Sequence, residues 1–380
     1  MRGRLLSIVL MMLLPQVARP LPLYSRSLGV ACTTCHDALP RLSAHGIAFA
    51  QRGYLLDAHE HAEATRPAAL ALSAVGGAGV SGARPEPGRP ATARANDSER
   101  RGAFSSLELV AAGAPAPRLS YHVDADIDRT GAALRHGDDF VQWSVSRPGR
   151  SLALKAGRFA AELPSLSADR RLTLARYLAP VAFGARGFEL DGAHAAWTAA
   201  AGLSLSDRTH AGGVSPHAIA PPLEDTYFRL GRRFGAESIG AQMLFDRQDS
   251  ALPTLSWLQH LRCEVAAQLS CARATLVPAY VFDRFDDRPA PGVHERHQYL
   301  LLESIVPLGP AERWVMTARY EHDYRTRNPY DPEEHRQQGV LQLAWQALPS
   351  ARLGVECART DDRLARQGRA AVDAFAQASW

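Results

Sequence analysis

Beyond its first twenty residues this 380-residue chain has no apolar run long enough to cross a membrane as a helix, and its mean hydropathy is −0.19. A bundle of spanning helices is therefore excluded. A membrane β-barrel is not, because its strands alternate apolar and polar residues and leave the mean hydropathy near that of a soluble protein. A dominant charge is missing too: 43 Lys+Arg against 39 Asp+Glu leave a net +4, too little to mark a nucleic-acid partner in a chain of this size. Lysine is almost absent. Lys155 is the only one, a bias that genomic base composition produces by itself and from which no function is drawn. No hydrolytic triad, phosphate loop or soluble-type repeat rises above chance.

What is present begins with an export signal. Arg2 and Arg4 precede the apolar run LLSIVLMMLL, followed by Pro15 and the small residue Ala18. This is the layout of a secretory leader, too short and wrongly flanked for a membrane span; it predicts a signal peptide over residues 1–20, cleaved between about residues 18 and 22. A buried N-terminal helix is the competing reading, and nothing polar alternates through the run to support it.

Just past the leader stands Cys32-Thr33-Thr34-Cys35-His36. C-x-x-C-H is the attachment pattern of a c-type haem: two thiols bond the porphyrin and the adjacent imidazole ligates iron. A zinc site would want a second ligand pair at similar spacing, and none follows. A thioredoxin-like redox motif would want a surrounding βαβ pattern, which is also missing. One covalent haem c on Cys32 and Cys35 with His36 as proximal ligand is therefore expected. Residues 21–64 contain no methionine, so a Met/His cytochrome cannot be built from that stretch alone. His45 and His59 are the leading candidates for a distal ligand, with His61, His122 and His260 behind them. His59 and His61 also read as solvated linker histidines, His45 also as a packing residue, and a five-coordinate or water-ligated haem stays open.

From about residue 65 the pattern changes to strict alternation. In RWVMTARYEH, Trp314, Met316, Ala318 and Tyr320 share one face, and Val315, Thr317, Arg319 and Glu321 the other; Leu341, Leu343 and Trp345 likewise stand opposite Gln342, Ala344 and Gln346. Candidate strands lie near 67–76, 103–112, 117–127, 139–147, 151–159, 185–191, 195–205, 225–233, 237–246, 256–266, 271–282, 297–306, 313–322, 338–346, 351–358 and 370–380. That is about sixteen, an even number, and many approach the nine to eleven or so residues that a tilted membrane strand needs, more than a sandwich strand does. Short connections such as 147–150 and 348–350 alternate with long ones at 77–102, 160–184, 206–224, 283–296 and 323–337. Short periplasmic turns alternating with long external loops predict an all-β fold: an antiparallel transmembrane β-barrel of about sixteen strands over residues 65–380, preceded by a small helical cytochrome segment over residues 21–64. The last strand ends on an aromatic, Trp380, resembling the terminal signal read by outer-membrane assembly machinery. On this reading an arginine replacing outward-facing Leu343 impairs assembly, whereas one replacing lumen-facing Gln342 is tolerated.

Residues 21–56 resemble the N-terminal segment of the fused outer-membrane cytochrome-porin family of iron-oxidising bacteria, in which a monohaem cytochrome segment precedes a sixteen-stranded barrel. Gly29, Cys32, Cys35, His36, Pro40, Leu42, Gly46, Phe49, Gly53 and Tyr54 carry the likeness; His45 departs from it where an aromatic is expected. Over the barrel the likeness is architectural. It implies an outer-membrane location, with the haem segment inside the barrel or at its mouth. It implies electron transfer from an extracellular donor, ferrous iron favoured, to a periplasmic cytochrome or other electron carrier, with iron:cytochrome c oxidoreductase as its enzymatic form. The alternative is a diffusion porin with the haem segment as a plug. A soluble periplasmic cytochrome with a β-domain comes third, opposed by the strand lengths and terminal aromatic.

The lumen is expected to carry Arg118, Asp124, Asp126, Arg229, Arg273, Arg319, Glu321 and Glu356. These charges are expected to satisfy one another; a sharper reading has Asp126 and Asp128, near the external rim, attracting a cationic metal donor. Cys263 and Cys271 flank an expected periplasmic turn in an oxidising compartment, yet fall on opposite faces, so a disulfide requires a bulge or another register. Cys357 reads as a small apolar residue facing lipid.

Overall fold

The computed structural model describes residues 32–38, 41–51, 66–85, 99–116, 118–128, 134–147, 149–163, 165–166, 172–204, 225–248, 258–287, 294–309, 313–326, 333–348, 351–362 and 367–379. The expected signal peptide, His59, His61 and Trp380 lie outside them.

Among the described residues, a one-turn helix, Cys32–Cys35, the short strands β1 (His36–Ala38) and β2 (Arg41–Leu42), and a helix over Ala44–Gln51 precede the barrel strands. Sixteen antiparallel strands follow in chain order: β3 (Arg66–Pro85), β4 (Glu99–Ala116), β5 (Leu119–Asp128), β6 (Leu134–Arg147), β7 (Arg150–Glu162), β8 (Ala182–His194), β9 (Trp197–Ser204), β10 (Asp225–Phe234), β11 (Glu237–Gln248), β12 (Leu258–Cys271), β13 (Ala274–Asp287), β14 (His294–Leu308), β15 (Trp314–Thr326), β16 (Glu334–Leu348), β17 (Ala351–Asp362) and β18 (Gln367–Ser379). Each pairs with its sequence neighbours, and β18 returns to β3 with Ser379 opposite Ser73 and Gln367 opposite Pro85, so the sheet is a closed barrel. Closure satisfies every edge, which open sheets in lipid cannot do.

Alternation decides which face is which. Leu343 is 43 % exposed while its neighbour Gln342 is 1 % exposed, because successive side chains point to opposite sides of the wall. The outward row continues across the ladder. Leu341 and Leu343 pair with Ala318 and Met316, and Trp314 pairs with Trp345, their rings 6.1 Å apart. Leu300, Leu302, Phe228, Phe188 and Val372 are exposed in the same way. A closed wall with an apolar outer surface is the chemistry of a lipid-facing barrel. Among the described residues no helix is long and apolar enough to span a membrane.

The short turns share a backbone device. Ala195 and Ala272 have φ of 53° and 52°, and Gly235 has 63°, as hairpin turns that follow the right-handed strand twist require. Ala272–Arg273 is such a turn, and it corrects two expectations. Cys263 and Cys271 do not flank it; both lie on β12, eight residues apart and so roughly 26 Å along an extended strand, far beyond the 7 Å or so that a disulfide tolerates. Arg273 is exposed in the turn and does not face the lumen, and Arg118, between β4 and β5, is likewise exposed. Cys357 is exposed on the outer face, paired with Leu341 and Val372.

The strands also run past the expected limits at the long-loop end. β3 and β4 take up much of the connection expected at 77–102, and β13–β14 and β15–β16 reach to Asp287, His294, Thr326 and Glu334. A hydrogen-bonded ladder does not stop where the apolar stripe stops, so charged residues such as Asp323 and Arg325 continue it, their side chains paired at 2.9 Å.

Candidate functional site

The segment holding the C-x-x-C-H motif is built by one serine and one glycine. Ser43 precedes the helix Ala44–Gln51 and caps it: the Gly46 amide donates to Ser43 Oγ at 3.1 Å, the usual cure for an unpaired first-turn N–H. The same hydroxyl donates to the Thr34 carbonyl at 2.9 Å, and the Ser43 amide donates to the Cys35 carbonyl at 2.9 Å. The helix is thus fastened to the motif turn. Gly46 lets it approach, since a Cβ there would lie 2.0 Å from the Cys35 carbonyl oxygen. Phe49, on the same helix, is buried.

Positions 32 and 35 stand three apart on one helical turn and so share a face. His36 follows directly, and its Nδ1 lies 3.2 Å from the Arg41 carbonyl oxygen, placed to donate to it. This leaves Nε2 as the nitrogen with the lone pair, the orientation that a backbone carbonyl imposes on metal-ligating histidines. A haem c carried by this turn would be bonded through Cys32 and Cys35 and ligated by His36 Nε2.

Arg41 ties this segment to the barrel. Its Nη1 lies 3.7 Å from Glu303 Oε1, with the two side chains only 12 % and 4 % exposed. Glu303 belongs to the inner row of β14, between outward-facing Leu302 and half-buried Ser304. Its Oε2 accepts a hydrogen bond from the Tyr177 hydroxyl at 3.4 Å, and the Arg319 guanidinium lies 4.4 Å from the centre of the Tyr177 ring.

Tyr177 belongs to the connection between β7 and β8, expected to be an external loop. Its described part folds inward instead. Leu163, Leu166, Ala179 and Val181 pack on the inner-wall residues Ala266, Ala279, Val281, Tyr299 and Leu301, and Leu172 packs on Ile305 and Val315. Lumen carboxylates take up the backbone: Glu356 accepts from the amides of Leu174 and Ala175 at 2.6 and 2.7 Å, and Glu321 from that of Leu178 at 2.6 Å. Arg319 donates to Thr173 Oγ1 and to the carbonyls of Ala175 and Arg176, the latter two at 2.8 and 3.0 Å. Gln342 Nε2 donates to the Leu172 carbonyl at 2.9 Å. An arginine at position 342 would break this seat, which corrects the expectation that it is tolerated.

Other lumen charges pair as well, Arg229 of the expected set among them. Glu189 meets Lys155 at 2.7 Å and also accepts from Tyr227; Arg229 meets Asp191 at 2.9 Å. Arg262 and His260 converge on Asp283 at 2.7 and 2.9 Å, with His260 stacked on Phe285. His122 is buried against Phe140 and lies 3.6 Å from Asp124. His260 is thus engaged by wall partners, and His45 is exposed on its helix. Asp126 and Asp128 lie in β5 at the long-loop end. Among the described residues no group of three or more His, Cys, Asp or Glu is arranged to hold a metal ion.

Sequence reasoning found the motif turn but missed the Arg41–Glu303 pair and the inward fold of the β7–β8 connection. The pair has no sequence signature, being 262 positions apart (303 − 41). The connection had one: Leu163, Leu166, Leu172 and Val181 are apolar for a solvated loop.

No family model matches the chain, and no curated protein matches it. Solved structures do. The anion-selective porin from Comamonas acidovorans aligns at a TM-score of 0.60 and 11 % identity, over 83 % of this chain and 100 % of its own. A loop-deletion mutant of OmpT, an outer membrane protein of Vibrio cholerae, aligns at 0.57 and 10 %, over 82 % and 99 %. The outer membrane channel DcaP of Acinetobacter baumannii aligns at 0.55 and 11 %, over 82 % and 97 %. At these identities the likeness is one of architecture, and the architecture is that of the outer-membrane porins.

Proposed function

We propose that this chain is an outer-membrane barrel that carries one covalent haem c against its inner wall. In this reading it passes single electrons from an extracellular donor, ferrous iron being the first to try, to a periplasmic cytochrome or another soluble carrier. The observation that carries the reading is the motif turn, with the His36 imidazole fixed on the Arg41 carbonyl and the Arg41 side chain paired with Glu303 of the wall. When bound, the haem supplies one-electron chemistry at its iron. Cys32 and Cys35 would hold it, His36 would ligate it, and the packed β7–β8 connection would screen it from bulk water. A single centre serves transfer across a hydrocarbon layer about 30 Å thick only where partners on both sides can approach it, which favours a seat within the barrel.

A second reading, a diffusion porin with the haem segment as plug, is favoured by the fold itself. Two of the structural neighbours are described as a porin and a channel, and this part of the comparison bears on pores directly and on haem not at all. One experiment separates the two. In proteoliposomes with oxidised cytochrome c trapped on the periplasmic side, ferrous iron added outside should lose one electron for each trapped haem reduced. The Cys35→Ala protein should lose covalent haem on a denaturing gel and lose the transfer. Covalent haem retained in that variant overturns the attachment site; free solute leakage with no haem reduction by any external donor establishes the porin reading.

A further inference from the structure

We propose that Arg41 is the positioning residue through which the barrel wall holds the haem. Its carbonyl fixes the iron-ligating imidazole, its Nη1 is seated on Glu303, and its Nη2 donates to a carboxylate of the bound haem. The proposal rests on the haem reading above.

Three observations meet at this one side chain. The carbonyl oxygen of Arg41 faces His36 Nδ1 at 3.2 Å, and the β1–β2 pairing, with Leu42 opposite His36, holds the two residues together. The guanidinium reaches a carboxylate of the wall, Glu303, at 3.7 Å. Its other terminal nitrogen, Nη2, is buried and has no hydrogen-bond partner among the described residues. A buried cationic N–H left without an acceptor is costly, so native proteins rarely keep one. The acceptor that would satisfy it should be anionic, because the guanidinium fork is matched to carboxylates. Glu303 already serves Nη1 and the Tyr177 hydroxyl. The group that this segment is built to carry brings its own carboxylates, as the haem propionates, and its attachment points lie five to nine positions from Arg41 in the same small unit (41 − 36 and 41 − 32).

The arrangement makes the wall a determinant of the redox centre. A cation against the haem disfavours the oxidised iron, which carries one more positive charge, so removing it should lower the potential. Glu303 would act through Arg41 by holding it in place.

The test uses the holo-protein in detergent, with covalent haem read on a denaturing gel and the midpoint potential read by spectroelectrochemical titration. Arg41→Gln should keep its covalent haem and favour the oxidised state by about tenfold, a drop of about 59 mV for a one-electron couple. Arg41→Lys, which restores the charge without the fork, should recover part of the drop. Glu303→Gln should move the potential when Arg41 is present and leave it unmoved in the R41Q background. Full haem content with an unchanged potential in R41Q overturns the proposal, and so does an E303Q shift that persists undiminished in R41Q. Should R41Q fail to assemble, E303Q alone decides, and an unmoved potential there overturns it. A wild-type protein with no covalent haem would bring down the haem reading itself, which the gel distinguishes from failure of the Arg41 role.

Discussion

At Gly46 a single hydrogen in place of a methyl group lets a helix lie against the C-x-x-C-H turn. With a Cβ only 2.0 Å from the Cys35 carbonyl oxygen, Gly46→Ala must push the helix away from backbone that cannot yield, at the upper end of the roughly 1–3 kcal/mol typical of overpacking. The Ser43 bonds to Thr34 and Cys35 would open with it. On the proposed haem reading, the expected outcome is a barrel that still assembles but carries markedly less covalent haem, measured as haem per barrel on a denaturing gel. Wild-type loading in Gly46→Ala would show that the helix contact does not shape the turn. The C-x-x-C-H motif is visible in the sequence because its residues are contiguous. The significance of Arg41 is not, since it lies in a wall residue brought near only by folding.

Among the elements, the inward-folded β7–β8 connection depends on charge meeting backbone. Glu356 accepts two of its amides, and hydrogen bonds to a charged group each contribute about 1.5–3 kcal/mol. Glu356→Ala should therefore free the segment around Leu174 and Ala175. Planar-bilayer recordings should then show a larger single-channel conductance, and a trypsin-like protease should cut at exposed Arg176; unchanged conductance and resistance would mean that the apolar packing of Leu163, Leu166 and Leu172 suffices. The strands themselves were readable in full, each expected strand having one counterpart, because period-two alternation is imposed by the wall between lipid and lumen. Their ends were not, because the ladder at Asp323 and Arg325 is held by hydrogen bonds and charge pairs without an apolar stripe. The turn at Ala272–Arg273 carries no sequence signal for a similar reason. It adopts positive φ with alanine, where glycine or asparagine is the usual marker, so the sequence alone puts Cys263 and Cys271 on different strands.

For the whole molecule, the test is whether the apolar surface faces lipid. Leu343→Arg places a cation in the outer row beside Met316 and Val355, which costs about 2–4 kcal/mol near the bilayer midplane. The yield of folded barrel in outer-membrane fractions should fall several-fold; in detergent micelles, where the side chain can reach water, the variant should fold nearly as well as wild type. Equal yields in membranes would argue that this face is wet.

The seam between β3 and β18 sets an order of events. The two strands that complete the wall are the first and the last of the barrel, so the pairing with the greatest sequence separation must form before any closed wall exists, and such non-local pairings are slow to find. Until then both strands present bare edges, which neither lipid nor a crowded compartment tolerates. A chain interrupted anywhere before β18 thus has no partial barrel to fall back on, and what persists in the membrane is the finished cylinder.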